Sequence, residues 1–458
     1  MAIEPRSDPI SAPSEVLDRA FYFIVVLWGE RFRTYFLEYC VPSLLSANNI
    51  PSLRTSRRNK FLIATRPEDW DAMSRAPIFG ALSRYIDPVS IEIPPCPVGR
   101  SGCEHMNTGH KIACDMAFRE KGLGVVITPD CMFSDGSMAH LQKLAQNGVQ
   151  VVLTAALRLG EEPFLAKLGE LGALLTESRS DSARPVTISG RVMAEAAVES
   201  FHTETLSYEW AAPYITPISP AAWWRVPAEN GVLLHCMSWA PVLLDYGAVE
   251  RHDMSTLDDW TIDGDYLFKN LGNTAKLHVI QDSDDLFLAS WGPMGDRPFK
   301  PQALFQSRLG KWFAARLRAQ QFRASFYSPI FDPLKRRIFF LPVRWHAREL
   351  NEKWTTVERE ARNELSQWVR PPDEDRRLGV SGTETFFRKL GEPFLNFGLA
   401  LIRWLGTYLV HRRDIKRRLL QALRGDTFAI RRIIWNLRRE VLVLRGRLPT
   451  DRPPQPNS

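Results

Sequence analysis

Two aspartates follow a short apolar segment in the first third of the chain, where they could bind a ligand. Residues 123–127 are rich in β-branched side chains, which predicts a buried strand, and Pro129 ends that strand directly before Asp130. Asp135 precedes a predicted helix at residues 137–146. The two carboxylates therefore flank a loop between a strand and a helix. In α/β proteins, ligands bind at this edge of the sheet.

A second pair of carboxylates, Asp263 and Asp265, is separated by one glycine. Trp260 and Tyr266 stand beside the pair and provide aromatic rings. A carboxylate in such a place could take a proton from a hydroxyl group. The alternative is an acidic turn that caps a helix beginning near Tyr266.

Two other polar features have both a structural and a chemical interpretation. Asp282, Asp284 and Asp285 follow a predicted strand at residues 276–280, and they favour a loop or a helix cap. His235 ends an apolar strand, where it could bind a metal or a phosphate, or could be a structural histidine.

Strands and helices alternate through the segment that carries these residues. This alternation predicts an α/β domain with a mostly parallel sheet flanked by helices. The predicted strands are 21–28, 60–65, 89–93, 123–127, 149–154 and 276–280, and the predicted helices are 32–45, 103–121, 137–146, 162–175 and 189–201.

The segment from Phe21 to Asp285 resembles the nucleotide-sugar glycosyltransferases of the GT-A type. The resemblance rests on the order of four parts: an apolar first strand, a second strand ending in Thr65-Arg66, a strand ending in Pro129-Asp130, and the later Asp263-Gly264-Asp265. It implies a GT-A-like, Rossmann-like domain. The chain departs from that family at one place, because Asp130-Cys131-Met132 stands where the family has an Asp-x-Asp triplet.

The resemblance also implies roles for individual residues. The nucleotide would be bound by Trp28, Gly29, Glu30, Thr65, Arg66 and Asp130. A divalent metal, Mg²⁺ or Mn²⁺, would be held by Asp130, Asp135 and His235. Asp263 or Asp265 would be the catalytic base.

The implied activity is the transfer of a sugar from a nucleoside-diphosphate sugar to an acceptor hydroxyl. Such a site must neutralise the leaving diphosphate and remove the proton of the acceptor. A hydrolase or phosphotransferase would also place acids at strand ends, but the chain contains no P-loop, G-x-S-x-G or H-E-x-x-H motif. The alternative from another class is a non-catalytic, membrane-peripheral scaffold.

The net charge of +7 is concentrated near the carboxyl end. Residues 412–447 contain 12 basic and 3 acidic side chains, and arginines recur every seven residues from Arg417 to Arg445 with aliphatic residues between them. On a helix, this spacing gives a basic stripe that could bind an acidic membrane surface or be a solvated face. Exposed stacking aromatics are not interleaved with the arginines, so we expect no nucleic-acid partner.

Six cysteines without a C-x-x-C pair indicate free thiols in a reducing compartment. The first residues include acids and prolines before any apolar run, which is unlike a signal peptide. We therefore expect a cytoplasmic protein that could also bind the inner face of the membrane. The predicted regions are a flexible amino terminus (1–19), the GT-A-like domain (20–300), a helical extension (301–370), a basic amphipathic helical region (371–448) and a disordered tail (449–458).

Overall fold

The structure is a computed structural model, and it describes only part of the chain. The described residues are 2–3, 17–97, 101–174, 183–210, 212, 219–258, 262, 264–272, 275–296, 318–320, 322–323, 325–327 and 333–370. The chain divides into two compact units. The first contains Met1–Leu206, Trp223–Phe299 and Ile338–Glu358, and the second contains Ser207–Ala222, Lys300–Arg337 and Arg359–Ser458.

An eight-stranded sheet organises the first unit. Its strand order is β1-β12-β7-β11-β5-β2-β3-β4. The strands are β1 (Ala2–Ile3), β2 (Phe21–Val26), β3 (Lys60–Thr65), β4 (Asp87–Glu92), β5 (Leu123–Val126), β7 (Val151–Ala155), β11 (Trp239–Asp245) and β12 (Lys276–Val279). Neighbouring strands are parallel except that β11 is antiparallel to both β5 and β7. The predicted α/β class is confirmed, and the sheet is mixed.

Two three-stranded sheets complete the strands of the described residues. One has the order β6-β13-β8, with β6 (Cys131–Phe133), β13 (Leu288–Gly292) and β8 (Arg158–Gly160). The other has the order β14-β10-β9, with β14 (Val343–His346), β10 (Gly231–Cys236) and β9 (Ala221–Val226). Strand β14 falls within the region predicted to be a helical extension, and it pairs antiparallel with β10.

Helices cover the strands. They are α1 (Glu30–Tyr35), α2 (Val41–Leu44), α3 (Pro67–Ser74), α4 (Pro77–Leu82), α5 (Gly102–Arg119), α6 (Ser137–Gln146), α7 (Glu161–Glu170), α8 (Gly190–Glu199), α9 (Thr203–Leu206), α10 (Gly264–Leu271), α11 (Pro333–Ile338) and α12 (Glu352–Ser366). A π-helix at Phe36–Cys40 joins α1 to α2. It ends two residues before Pro42, which has no N–H for the regular helical hydrogen bond.

The central strands are buried on both faces, as their continuous apolar sequence predicts. All six residues of β2 are buried, and Phe23 packs against Phe61 of β3 with ring centroids 5.6 Å apart. A glycine allows helix α5 to pack closely against this layer. Gly109 of α5 lies against Val26 and Ala64, so an added methyl group would come within 2.6 Å of Ala64 Cβ. The parallel strands are thus held in one rigid layer with their carboxyl ends at a common edge.

Several predicted regions lie outside the described residues. They include most of the amino terminus (residues 4–16), the basic region 371–448 with Arg417 to Arg445, and the tail 449–458. In the part of the chain that the structure describes, no helix has the length and apolar character needed to cross a bilayer.

The interior of the first unit contains a pair of neighbouring histidines, and one of the two makes no hydrogen bond with the described residues. His140 of α6 and His278 of β12 have ring centroids 6.2 Å apart, and neither ring nitrogen of His140 has a partner. Burial lowers the pKa of His140 to about 3, and the neighbouring His278 and Lys143 contribute to this shift. Protonation of His140 therefore disfavours the folded state.

This pair should contribute to acid sensitivity. In the unfolded chain, this histidine has its ordinary pKa of 6.5. Between pH 6.5 and about 3, the unfolded state therefore binds a proton that the folded state does not. The free energy of unfolding decreases as the pH is lowered through this range. We expect His140→Leu to reduce this slope by up to about 1.4 kcal/mol per pH unit. Urea denaturation at several pH values from about 7 to 4 measures it. Parallel curves for the two proteins would contradict the assignment.

Candidate functional site

The strand order reverses between β2 and β5, and this reversal defines a candidate binding crevice at their carboxyl ends. From β2 the chain adds β3 and β4 on one side, and then places β5 on the other side of β2. Ligands of open α/β sheets bind where the order reverses in this way. Trp28, Gly29 and Glu30 follow β2, and Thr128 to Asp130 follow β5. The structure thus brings these two predicted groups to neighbouring strand ends.

A buried carboxylate fixes the loop after β2. Asp69 of α3 is 2% exposed, and its Oδ2 accepts a hydrogen bond of 2.8 Å from the backbone N–H of Gly29. Its Oδ1 accepts a bond of 2.6 Å from Arg33 Nη1. Gly29 has a φ of +83°, a conformation that favours glycine. Asp69 therefore links the loops that follow β2 and β3, a role that sequence reasoning missed because the residue stood in an ordinary acidic helix start.

Aromatic and polar groups lie beside this loop. The ring of Trp28 contacts His105 edge-on, with centroids 5.3 Å apart, and His105 Nε2 is 2.8 Å from the carbonyl oxygen of Pro94. Thr65 Oγ1 and Arg66 Nε are buried and make no hydrogen bond with the described residues. Buried polar atoms without partners are uncommon in folded proteins. This side of the crevice therefore offers an aromatic face and unused polar groups.

Asp130 lies half-buried on the other side of the crevice. Burial raises the pKa of its carboxyl group, and this effect outweighs a hydrogen bond from Thr128 and the positive charges of Arg158 and Arg31, which lower it. The two arginines are thus close enough to act on Asp130. Sequence reasoning identified Asp130 but neither arginine.

Trp291 contacts the segments that carry Asp130, Arg158 and Arg31. It is 1% exposed, and its backbone N–H donates a hydrogen bond of 3.3 Å to the carbonyl oxygen of Asp130. Its strand β13 pairs with β6 on one side and with β8 on the other, so Ser290 lies opposite both Cys131 and Arg158. The indole packs against Tyr35, Tyr39 and Phe164, with ring centroids 5.6 to 5.9 Å apart.

Arg31 belongs to a polar network on α1. Its Nε donates a hydrogen bond of 2.9 Å to Tyr35 Oη, and Tyr35 Oη donates one of 2.5 Å to Glu161 Oε2. Arg31 Nη2 also lies 3.7 Å from Glu161 Oε2. Burial raises the pKa of Tyr35 to about 12, so the phenol stays protonated and can donate.

Arg158 lies over a residue without a side chain. A methyl group added to Gly292 would come 2.1 Å from Arg158 Nη2 and 2.5 Å from Arg158 Cζ. The guanidinium therefore occupies the space that any larger residue would fill. Its backbone carbonyl is also fixed, since it accepts a hydrogen bond of 2.6 Å from Thr205 Oγ1.

Asp135 and His235 do not join Asp130 in a three-residue metal site among the described residues. Both oxygens of Asp135 accept hydrogen bonds from Asn48, at 3.0 Å from its N–H and 2.7 Å from Nδ2. His235 lies in β10 of a separate sheet, and its Nδ1 is 2.9 Å from the carbonyl oxygen of Phe339. The spacing in sequence did not show these local partners.

The segment with the predicted base lies at the opposite edge of the large sheet. Asp263 is outside the described residues, and Asp265 is the second residue of α10. Tyr266 of that helix is fully buried and lies 3.1 Å, oxygen to oxygen, from Tyr246. Tyr246 donates its backbone N–H to the carbonyl of Gly122, directly before β5 begins. We therefore assign neither the base to α10 nor sugar stacking to Tyr266.

Asp282, Asp284 and His346 form the group of potential metal ligands found in the described part of the chain, with ligand atoms within 4.8 Å of one another. His346 Nε2 lies 2.7 Å from Asp282 Oδ1, and its Nδ1 lies 2.6 Å from the carbonyl oxygen of Arg348. Arg191 pairs with Asp284 through Nε and Nη2. The contacts make this group an ion-pair network between β14 and the loop after β12.

The chain has no match among known protein families, and no curated protein matches it. The interpretation of the crevice therefore rests on its geometry.

Replacing Asp69 tests whether it holds the crevice together. Asp69→Ala removes a charged acceptor from Gly29 and Arg33, so we expect the free energy of unfolding to fall by about 2–3 kcal/mol. Asp71→Ala is the matched control, because Asp71 lies on the same helix and is exposed. Urea denaturation measures both. Equal stability of the two variants would show that Asp69 has no such role.

Proposed function

We propose that the protein is a glycosyltransferase that uses a nucleoside-diphosphate sugar as its donor. One observation carries the proposal: the point of strand reversal brings together Asp130, Arg31 and Arg158 with the ring of Trp28 and the buried polar groups of Thr65 and Arg66. A nucleotide sugar has matching parts, since its base is flat, its ribose carries polar hydroxyl groups and its diphosphate is anionic.

We also propose that the large sheet is of the GT-A type. The strand order supports this, because a single antiparallel strand, β11, lies between two strands of an otherwise parallel sheet. That arrangement is similar to the GT-A architecture, as is the position of Asp130 after β5, the parallel neighbour of β2.

In the proposed complex, the nucleoside lies on the β2 and β3 side of the crevice. Trp28 offers its ring to the base, and the loop at Gly29 approaches the nucleotide closely because no side chain projects from it. Thr65 and Arg66 offer the polar groups described above. Asp130 accepts hydrogen bonds from the ribose or sugar hydroxyls, a role that suits a carboxylate beside two arginines.

The use of a hydroxyl acceptor and the binding of a membrane remain predictions from the sequence. An acceptor hydroxyl would attack the sugar carbon as the bond to the diphosphate breaks, its proton would pass to water or to the departing diphosphate, and the arginines would stabilise the charge that develops on the leaving group. The basic stripe from Arg417 to Arg445, which we predict to bind acidic membranes, lies outside the described residues. Binding there would place the enzyme near a membrane-bound acceptor.

The proposal predicts selective binding of one nucleoside diphosphate. A ligand that binds only the folded protein raises its melting temperature, so a thermal-shift screen with the uridine, guanosine, adenosine, cytidine and thymidine diphosphates should identify it. Asp130→Asn should lower the affinity for the corresponding nucleotide sugar about 10- to 100-fold, since a hydrogen bond to a charged group is lost. The melting temperature of the free variant should change little.

Asp71→Asn is the control for this substitution, because it removes an exposed carboxylate elsewhere on the surface. A folded protein that no nucleoside diphosphate stabilises would refute the transferase and favour the scaffold. Unchanged donor binding in Asp130→Asn would refute the role of that residue alone.

A further inference from the structure

The resemblance implies a divalent metal between carboxylates and the diphosphate, so the fit of the donor atoms can be tested. Magnesium is held by oxygen ligands, commonly one or two carboxylates together with phosphate oxygens and water. The loop after β5 reads Thr128-Pro129-Asp130-Cys131-Met132, and Asp130 is its only carboxylate. The second carboxylate of the family's Asp-x-Asp triplet would therefore have to come from elsewhere in the chain.

The other carboxylates and the histidine predicted for the metal do not supply that ligand. Both oxygens of Asp135 are used by Asn48, and His235 lies in a different sheet with Nδ1 facing a carbonyl oxygen. The Asp282, Asp284 and His346 group forms its own ion pairs. The described residues around Asp130 therefore do not fit the family's metal site.

Two cations instead act electrostatically on the single carboxylate from neighbouring elements. Arg158 is the first residue of β8, and through β13 it is held two strands away from Cys131, the residue after Asp130. Arg31 is on α1, whose Tyr35 packs on Trp291, the residue that binds the Asp130 carbonyl. Arg31 is exposed and Arg158 half-buried, so both guanidinium groups can meet a ligand.

We propose that Arg31 and Arg158 bind the diphosphate of the nucleotide directly and replace the divalent metal as its counter-charge. This inference rests on the proposed function. Each guanidinium can donate two parallel hydrogen bonds to phosphate oxygens. The pair carries two positive charges, as a divalent ion does, and Glu161 Oε2, 3.7 Å from Arg31 Nη2, partly balances one of them. The contacts of Arg31 with Tyr35 and of Arg158 with Gly292 orient both groups before the ligand binds.

The first experiment measures nucleotide affinity with and without metal. Calorimetry on the full chain would use uridine diphosphate, or another of the five nucleoside diphosphates if that one gives the thermal shift. We expect the dissociation constant in excess EDTA to lie within threefold of that in millimolar Mg²⁺ or Mn²⁺. The corresponding nucleoside should bind at least 30-fold more weakly, because it lacks the diphosphate.

The outcomes separate the inference from the proposed function. Binding that appears only with Mg²⁺ or Mn²⁺ would overturn the arginine inference and leave the transferase intact. Binding of no nucleoside diphosphate under any condition would overturn both.

The second experiment localises the diphosphate. Arg158→Gln should lower the affinity for the nucleoside diphosphate at least tenfold and leave the affinity for the nucleoside unchanged. Gly292→Ala should act in the same direction without changing Arg158, because its methyl group displaces the guanidinium. Gly295→Ala is the matched control, since an added methyl group there meets no atom within 4 Å.

Circular dichroism and melting temperature establish that each variant is folded. Arg31→Gln should behave like Arg158→Gln, and Arg158→Lys should recover only part of the affinity because an ammonium group cannot make the paired bonds. If diphosphate affinity is unchanged in folded Arg31→Gln and Arg158→Gln, the two arginines do not bind the ligand and the inference is wrong.

Discussion

The position of Trp291 is the constraint on which the candidate site depends. Its backbone binds the Asp130 carbonyl, its strand pairs with the strand that begins at Arg158, and its ring packs under the helix that carries Arg31. Three distant parts of the sequence thus meet at one buried side chain. The indole Nε1 makes no hydrogen bond with the part of the chain that the structure describes, so packing and the backbone hold Trp291 there.

The charge arrangement follows from this packing. A lone carboxylate in a half-buried position is disfavoured in its ionised form, and neighbouring cations offset that effect only partly. An anionic ligand bound by the arginines would change the balance further, because it would reduce their effect on Asp130. Protonation of Asp130 and binding of the ligand are therefore coupled, as linkage requires for groups that share charged neighbours.

Local sequence patterns predicted the elements better than the site. Strand β3 and helix α6 match their predicted bounds, because continuous apolar runs and helical periodicity are local properties. Asp130 was found because it directly follows a strand. Arg31, Arg158 and Trp291 were missed because their proximity depends on the pairing of β6, β13 and β8. The role predicted for Asp265 stays a prediction, because periodicity does not show which edge of the sheet a helix approaches.

The link made by Asp69 has a consequence for how a ligand would bind. One carboxylate fixes the backbone after β2 and lies on the helix that follows β3, so the two loops form a single body in the folded protein. Their conformational freedom is lost during folding, before any ligand arrives. A nucleoside that docks there would not have to order them, and its association should have a small entropic penalty and a rate set by encounter and not by loop rearrangement.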